Sequence, residues 1–596
     1  MVWRLREMRR KVMTALMAGT LIGLAALAGP PPTSATEDTF YISAGTIAVG
    51  GSCNDPDVNY NPVNGLEPSL LAVYGNEDFG TGDTIILCDN GVGIDYVFES
   101  NTPSQDIASK EITITGESGQ EVVLDANGFD PFIFANGTLN IENLVIQDAG
   151  TAITMSGTPT LNVTDVTFED GADVGDMTGQ SIDSSGIVSV AGSTFAHNYS
   201  SGDGGAIDAD GAVTVDASAF TGNESDDLGG AIYSGGELQV TDSQFDSNIT
   251  ENYGGAIYAA AGISVSDSAF EANSATSVDG GAIYADTGEV SVSNTDFSNN
   301  EAFNAGGALY IFDADAIAAI SDSTFNSNSA DYGGAIVSYD SEVAITDSHF
   351  EENFTVWESE EMGADFGGAA YYLWLGSLHV EDSTFTRNVA PDTSAGAGIH
   401  LYKGSLEVDN STFTANQAGQ GPAIYSWGEG LGFEEDESVV ISDSTFLRNR
   451  NTWLDDGGAI AHERNGRDFT LTGSLFRGNV GPRWGGAVET WKVDGETTIE
   501  NNVFMLNTAR EGGALWIDVR NGVEGIRGNQ FKKNRARLGG AISFECETVS
   551  ARSVVRVLTR QNRFSGNVAS TRRSSSNAFA SQYVQSSDED CAPTPP

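Results

Sequence analysis

The sequence predicts an all-β fold, a parallel β-helix whose coils are 25 to 35 residues long. Three observations support this prediction: glycine makes up 71 of the 596 residues, two short motifs recur in fixed phase, and the apolar residues between them alternate. Alternation is the two-residue period of a β-strand. A coil of this length cannot bury its own apolar face, so successive coils must stack to form a core.

The amino terminus has the pattern of an export signal. A cluster of Arg and Lys precedes an uncharged apolar run over residues 12–28, which is followed by prolines and small residues. This order is typical of a signal peptide, and cleavage could follow Ala28 or Ala35. The alternative is an uncleaved membrane anchor, for which the run is slightly shorter than the ~20 residues of a spanning helix. We expect a secreted or cell-surface protein whose mature chain has no integral membrane segment.

The rest of the chain is predicted to be one long solenoid with a short segment at each end. Apolar pairs such as Ile112 and Ile114 mark degenerate coils upstream of the clear repeats, which begin near residue 190. Insertions at 353–367 and 425–440 should be surface loops. The predicted parts are a signal peptide at 1–35, an N-terminal cap at 36–83, the β-helix at 84–570 and a C-terminal tail at 571–596.

The first repeated motif is Phe-x-x-Asn. In stacked coils, equivalent residues lie one strand spacing apart, about 4.8 Å, so identical side chains form ladders along the axis. We expect the Phe rings to stack inside the core and the Asn amides to chain hydrogen bonds at a turn. The copies begin at Phe195, Phe220, Phe245, Phe270, Phe297, Phe325, Phe350, Phe385, Phe413, Phe446, Phe476, Phe504, Phe531 and Phe564.

The second repeated motif, Gly-Gly-Ala-Ile or a near variant, alternates with the first. The paired glycines would permit a tight or left-handed turn just before Ala-Ile enters the core. Degenerate copies begin at Gly396 and Gly421. The clear copies begin at Gly204, Gly229, Gly254, Gly280, Gly306, Gly333, Gly367, Gly457, Gly485, Gly512 and Gly539.

Together the two motifs resemble the repeat of the polymorphic outer-membrane protein family of chlamydiae over roughly residues 190–570. The resemblance implies a right-handed β-helix, exposed at the cell surface and associated with adhesion. Outer-membrane association is part of that expectation. Because few residues follow Asn567, we do not expect the integral membrane anchor that the family carries.

Four cysteines lie near the two ends of the predicted β-helix. Cys53 and Cys88 flank the segment that leads into the first coil, while Cys546 and Cys591 straddle the last coil and the tail. Of the three possible pairings, one disulfide at each end is the natural one, and export permits it.

Charge is distributed unevenly along the chain, whose net charge is −56. Residues 36–447 hold 67 acids and 3 bases, whereas residues 448–573 hold 13 acids and 20 bases. A surface with this much negative charge repels the phosphate backbone of nucleic acids. This excludes nucleic acid as a main partner. We interpret the acidic block as a solvated surface, and specific calcium binding remains the alternative.

The sequence contains few motifs typical of metal binding or catalysis. The five histidines lack metal-ligand spacing, so we expect no cofactor, with the metal content unknown and calcium left open. Polysaccharide lyases of this fold need a base beside their acids, yet residues 111–386 contain no Lys or Arg. An active centre would therefore lie in later coils, in the loop with Trp453, Asp455, Asp456, His462, Glu463 and Arg464.

One repeat position collects aromatic residues, and strand alternation places it opposite the inward Ile. It is either a ladder that stabilises the stack or a stripe on which a surface glycan or a partner protein lies. The residues are Tyr233, Tyr258, Tyr284, Tyr310, Tyr371, Tyr425 and Trp516, with Trp427 and Trp491 two positions further on. We predict an adhesin-like binding or structural surface protein without catalysis. The alternative is a polysaccharide lyase or glycoside hydrolase on the same scaffold.

Overall fold

The computed structural model describes residues 39–43, 46–49, 53, 81–88, 96–98, 100–107, 110–169, 180–314, 317–356, 367–428, 437–453, 457–463, 466–519, 522–545, 551–570 and 584–586. Over these residues the chain is a parallel β-solenoid, and the predicted fold class is confirmed. The signal peptide, residues 357–366 and 429–436 of the two predicted loops, Asp455, Asp456, Arg464, Cys546, Cys591 and most of the tail lie outside the described residues.

Each coil contributes one strand to each of three parallel sheets. In each repeat the strand of sheet 1 lies between the Gly-Gly-Ala-Ile motif and the following Phe-x-x-Asn motif, and its outward residues are mostly polar. The first two strands of sheet 1 pair as an antiparallel hairpin. Its strands are Thr39–Ser43, Thr46–Val49, Asp83–Leu87, Glu111–Gly116, Thr138–Glu142, Thr160–Thr164, Ile187–Ala191, Val213–Asp216, Leu238–Thr241, Gly262–Ser266, Glu289–Ser293, Ala318–Ser321, Ser341–Thr346, Gly376–Glu381, Ser405–Asp409, Ser438–Ser442, Asp468–Thr472, Thr497–Glu500 and Ile526–Arg527.

Sheet 2 follows sheet 1 in each coil and, from Phe168 onward, carries one inward Phe per strand. Its strands are Tyr96–Val97, Val123–Asp125, Val145–Gln147, Thr167–Glu169, Thr194–Ala196, Ala219–Thr221, Gln244–Asp246, Ala269–Glu271, Asp296–Ser298, Thr324–Asn326, His349–Glu351, Thr384–Thr386, Thr412–Thr414, Thr445–Leu447, Leu475–Arg477, Val503–Met505, Gln530–Lys532 and Arg563–Ser565.

Sheet 3 begins just after the paired glycines. Its strands are Gln105–Asp106, Phe132–Ala135, Ile153–Ser156, Ile182–Ser184, Ile207–Ala209, Ile232–Ser234, Ile257–Ala259, Ile283–Ala285, Leu309–Phe312, Ile336–Tyr339, Tyr371–Leu373, Ile399–Leu401, Ile424–Trp427, Ile460–Glu463, Val488–Trp491, Leu515–Asp518, Ile542–Glu545 and Val584–Ser586.

Short strands after the Asn of the first motif form a fourth, narrow ladder between sheets 2 and 3. They are Tyr199–Ser200, Glu224–Ser225, Ile249–Thr250, Ser274–Ala275, Glu301–Ala302, Ser329–Ala330, Phe354–Thr355, Gln417–Ala418, Arg450–Asn451, Arg535–Ala536 and Val568–Ala569.

The Phe rings form the predicted stack inside the solenoid. Successive ring centroids from Phe168 to Phe564 lie 4.5 to 5.0 Å apart, and most ring planes are nearly parallel. Except for the half-buried Phe564, each ring is almost fully buried. The ladder therefore fixes the register of every sheet 2 strand against its neighbours.

The Asn side chains form a continuous hydrogen-bonded ladder from Asn198 to Asn567. Asn273 is typical: its Nδ2 donates to Asn300 Oδ1 and to the Phe245 carbonyl, both at 3.0 Å. Its Oδ1 accepts from the backbone N–H and the Nδ2 of Asn248 at 3.0 and 2.9 Å. Both the Oδ1 and the Nδ2 of this amide therefore have hydrogen-bond partners although the residue is fully buried.

A second polar ladder, two residues before each Phe, was not predicted. Ser218 Oγ accepts from the Ser193 backbone N–H at 3.1 Å and donates to the Asp216 carbonyl at 2.8 Å. The same pattern recurs along the stack, and in C-terminal coils Asn502 and Asn529 replace Ser. Each hydroxyl thus satisfies one backbone donor and one backbone acceptor at the turn between sheets 1 and 2.

The paired glycines play two separate roles. Gly254 has a φ of +73°, the left-handed conformation that the sequence predicts. Gly255 has no such angle, but a Cβ there would lie 2.0 Å from the Gly281 carbonyl oxygen of the next coil. The second glycine is therefore required by the close approach of two backbones.

Two features lie at the ends of the described solenoid. Cys53 and Cys88 form a disulfide with their Cα atoms 5.6 Å apart. Near the other end the helix Ala551–Gln561 turns Val554 and Leu558, one helical turn apart, into the core. Both features place additional side chains against the outermost coils.

Candidate binding surface

The aromatic position after Gly-Gly-Ala-Ile forms one outward column on sheet 3. Consecutive members pair directly in the parallel register. We call this set the sheet 3 column: Asp183, Asp208, Tyr233, Tyr258, Tyr284, Tyr310, Val337, Tyr372, His400, Tyr425, Ala461, Glu489, Trp516 and Ser543.

Tyr371 was assigned to this column, and the assignment is wrong. The register pairs Ile336 with Tyr371, so Gly368 rather than Gly367 corresponds to Gly333. A shift of one residue turns a strand side chain to the opposite face. Tyr371 therefore lies in the core, fully buried, and its neighbour Tyr372 occupies the column.

The predicted exposure of Tyr425 and Trp516 is also wrong. Their side chains are only 1% and 2% exposed because the residues just before the paired glycines cover them. The Trp484 ring stacks on Trp516 at 5.1 Å, and Ala395 packs on Tyr425. In the C-terminal coils this column is thus an inner layer that no ligand can reach without displacing its cover.

The earlier part of the column is a tyrosine ladder in which Tyr284 is buried and the other three rings are half-buried. The rings of Tyr233, Tyr258, Tyr284 and Tyr310 follow each other at 5.7, 5.2 and 5.0 Å. Tyr253 packs edge-on against Tyr284 at 4.8 Å. These contacts fit the stabilising interpretation, since the faces of the rings are used within the stack.

Carboxylates precede the tyrosines in the same column. Burial, together with the negative charges of Asp183, Asp203 and Asp210, raises the pKa of Asp208 to about 7. In the unfolded chain that carboxyl has its ordinary pKa near 3.8. Because the folded state holds the proton to higher pH, ionisation of Asp208 destabilises the fold as the pH rises from about 4 to about 7.

We expect Asp208→Asn to raise the melting temperature at pH 8 and to flatten its decline between pH 4 and pH 7. The gain at pH 8 should be roughly 1 to 3 kcal/mol after solvent screening. Thermal melts across this range measure it. Asp246→Asn, an exposed carboxylate on sheet 2, is the control. Equal slopes for wild type and Asp208→Asn would contradict the assignment.

A second outward column lies two residues further along, where the sheet 3 strands end. Five consecutive coils place aromatic rings there, with centroids 5.2, 6.1, 5.6 and 5.5 Å apart. Unlike the buried part of the sheet 3 column, this row is partly open to solvent: Trp374 is 43% exposed and the other four rings are half-buried. We call it the edge ladder: Phe312, Tyr339, Trp374, Tyr402 and Trp427.

Of the edge ladder, only Trp427 is predicted from the sequence. The sequence does contain a pattern that predicts the edge ladder. Each of its residues lies four positions after a small residue, Ala or Gly, that directly precedes the inward apolar residue of the strand. Tyr402, for example, follows Gly398 in a degenerate copy.

Beyond Trp427 the same column changes character. Glu463 pairs with Trp427 and then with Trp491 and is only 3% exposed. Trp491 is half-buried, with the Lys492 ammonium 4.6 Å above its ring. Asp518 and Glu545 are paired in the following two coils. Trp427 and Trp491 therefore share a column, as predicted, but a buried carboxylate separates them.

A buried arginine anchors the end of the edge ladder. The Arg467 guanidinium donates to the backbone carbonyls of Trp427 and Tyr402 at 3.2 Å and pairs with Glu437 at 3.1 Å. Burial lowers the pKa of Arg467 to about 10, so it stays protonated at neutral pH. These bonds fix the backbone from which two of the ladder rings project.

The described residues of the candidate active centre do not form a substrate site. His462 is fully buried, stacked on Phe469 at 4.9 Å, and burial with the nearby Arg467 lowers its pKa to about 3. A neutral, enclosed imidazole cannot reach a bound sugar. Among the described residues, the one cluster with metal-ligand spacing is Cys53, Cys88 and Glu117, and its two sulfurs are joined in the disulfide.

Family comparisons agree with this geometry. The model of a right-handed β-helix region matches residues 267–436, so the chain is a β-helix protein. The repeat of the Chlamydia polymorphic membrane protein matches residues 217–235 and 242–260. The chain therefore carries repeats of the polymorphic membrane protein type, as the resemblance implied. This repeat is that of a cell-surface or outer-membrane family.

Other comparisons add little. No curated protein matches the chain. A PL6 family alginate lyase, AlyGC, is 12% identical over 87% of this chain and 98% of its own, with a TM-score of 0.23. An arginine-to-alanine mutant of that enzyme is 12% identical over 88% and 98%, with a TM-score of 0.24. We draw nothing about activity from likeness of this degree. No described helix combines the length and apolarity needed to cross a bilayer.

Proposed function

We propose that the chain is an exported, adhesin-like surface protein that binds a carbohydrate along the edge ladder without catalysis. This proposal rests on the half-exposed row of five aromatic rings in consecutive coils. Trp374, at the centre of the row, is tilted by 49° and 50° to its two neighbours in the row and is not stacked face to face on them. A rigid aromatic face of this kind can cover the apolar C–H face of a sugar ring at little entropic cost. A straight row with one ring per coil suits a linear polymer better than a compact ligand.

Charge narrows the class of carbohydrate. The acidic block that contains the ladder, residues 36–447, would repel a polyanion. Exposed carboxylates beside the ladder, such as Asp313 after Phe312, can accept hydrogen bonds from sugar hydroxyls. A neutral or cationic polysaccharide is therefore the proposed ligand, with a partner protein as the alternative outcome of a screen.

We expect Trp374→Ala combined with Trp427→Ala to weaken binding to immobilised neutral glycans at least tenfold. Both rings are partly open to solvent, so the β-rich circular dichroism and the melting temperature should change little. Ile187→Ala removes an apolar side chain that is 51% exposed on sheet 1, away from the edge ladder, and is the control.

The same preparation should be assayed for turnover of neutral and uronate polymers. Binding that the double substitution removes, without turnover, supports the proposal. Turnover would favour the enzyme alternative instead. A folded double variant that binds as tightly as the control would place recognition elsewhere on the molecule.

A further inference from the structure

The edge that carries the short strands is segregated by charge. We define the asparagine edge as the two residues before each ladder Asn and the three after it. From the coil of Asn223 to that of Asn353, it holds nine acids and no base: Glu224, Asp226, Asp246, Glu251, Glu271, Glu301, Asp331, Glu351 and Glu352. From the coil of Asn449 to that of Asn534, it holds eight bases and no acid: Arg448, Arg450, Arg477, Arg510, Lys532, Lys533, Arg535 and Arg537.

The same edge also gathers exposed apolar side chains. It carries eight of the twelve large apolar side chains that are exposed among the described residues. They are Ile249, Phe303, Phe354, Val356, Val389, Val480, Leu506 and Val568. Apolar exposure concentrated on one edge, between rows of charge, is typical of a protein-binding surface.

A groove lies where the charge changes sign. It has a volume of about 700 Å³ and is lined by Phe354, Val389, Pro391 and Ala415, among others. At its rim Arg387 donates to Glu352 Oε1 at 2.7 Å and also pairs with Glu351. Acidic and basic side chains of this edge therefore already pair across adjacent coils within one chain.

We propose that the asparagine edge binds a second copy of this chain in antiparallel orientation, with the two-fold axis at the groove. The axis, between the coils of Asn388 and Asn416, brings the coil of Asn449 against that of Asn353. The two bases of the first then face the two acids of the second. Going outward, the coils of Asn479, Asn507 and Asn534 face those of Asn328, Asn300 and Asn273, and each contact joins bases to acids.

A second copy matches this edge better than a polyanion does. Both copies have the same coil spacing, about 4.8 Å, so their rows of charge stay in register over ten coils, a length of about 45 Å. A long polyanion would meet the acidic half of the edge and would leave the apolar residues unused. An isologous contact, with the same patch on both copies, satisfies both halves of the edge and closes as a dimer.

Charge reversal tests this interface. We expect the wild-type protein to sediment as a dimer at physiological ionic strength. Lys532→Glu with Lys533→Glu should raise its dissociation constant at least tenfold, because acids then face acids. Glu271→Lys, in the coil of Asn273 that faces this coil, should also raise the dissociation constant from the other side. Arg556→Glu with Arg560→Glu, on the exposed face of the helix, changes the charge equally and is the control.

The two reversed variants should form a dimer with each other when mixed, since each supplies the charge that the other lacks. Recovery in the mixture excludes misfolding as the cause of the loss. A wild-type protein that is monomeric at every concentration tested would overturn the proposal. So would a reversed variant that dimerises like the control, or a mixture that stays monomeric.

Discussion

Asn273→Ala should lower the free energy of unfolding by roughly 2 to 5 kcal/mol, because it orphans two buried donors. The backbone N–H and one Nδ2 hydrogen of Asn248 both end on Asn273 Oδ1. Asn273 is 0% exposed, so bulk solvent does not reach these donors. Urea or thermal denaturation measures the loss. The methyl group of Ala also leaves a small void between two coils.

Asn326→Ala is the matched control for this prediction. It lies two coils further along, two residues before the ladder Asn328, on the outward face of sheet 2, and its Oδ1 accepts a bond from the half-buried Ser327 hydroxyl. We expect a change within about 0.5 kcal/mol there. Equal effects at both positions would remove the ladder from the account of stability. Asn451 lies outside the Phe-x-x-Asn phase, but it would be a poor control because it is itself buried and its Oδ1 accepts from the Trp453 backbone N–H.

Gly255→Ala should be more damaging, by more than about 4 kcal/mol, or should prevent folding. Its Cβ would lie 2.0 Å from the Gly281 carbonyl oxygen and 2.6 Å from the Ser274 amide nitrogen. Both contacts are with backbone atoms, so no side-chain rotation relieves them. Expression level and thermal unfolding are the measurements.

Gly202→Ala provides the comparison. Gly202 lies in a turn just before a glycine pair, its φ is not positive, and the nearest atom to an added Cβ is Ser200 Oγ at 3.9 Å. Alanine there should stabilise the fold by about 0.4 to 1 kcal/mol, because it restricts the unfolded chain. If both alanine variants behave alike, close coil approach does not limit this fold.

The stack itself was predictable because it repeats residue types that have one physical role each. Phe and Asn recur at a fixed separation, and only stacking in register explains both. The serine ladder was equally visible as Ser two residues before Phe, but an isolated Ser such as Ser218 has too many ordinary roles to signal a ladder alone. Its function became clear only from the backbone groups that it meets.

The candidate surface was less predictable, for two reasons. Strand alternation tells which side chains point outward, but it does not tell what lies over them. Trp516 points outward and is nevertheless covered by Trp484, which comes from a turn. One extra residue also shifts the phase of a strand, and this shift exchanged Tyr371 for Tyr372. Periodicity could not reveal either effect, since both depend on the turns.

The equivalence of the coils has a consequence for how such a chain can change in evolution. Asn223 bonds to Asn248 as Asn248 bonds to Asn273, 25 residues further on in each case. A deletion of one whole period would therefore join Asn223 to Asn273 with the same partners and shorten the rod by about 4.8 Å. Duplication would lengthen it by the same step. Recombination between its own repeats can therefore change the length of the solenoid one coil at a time without changing how the core is packed.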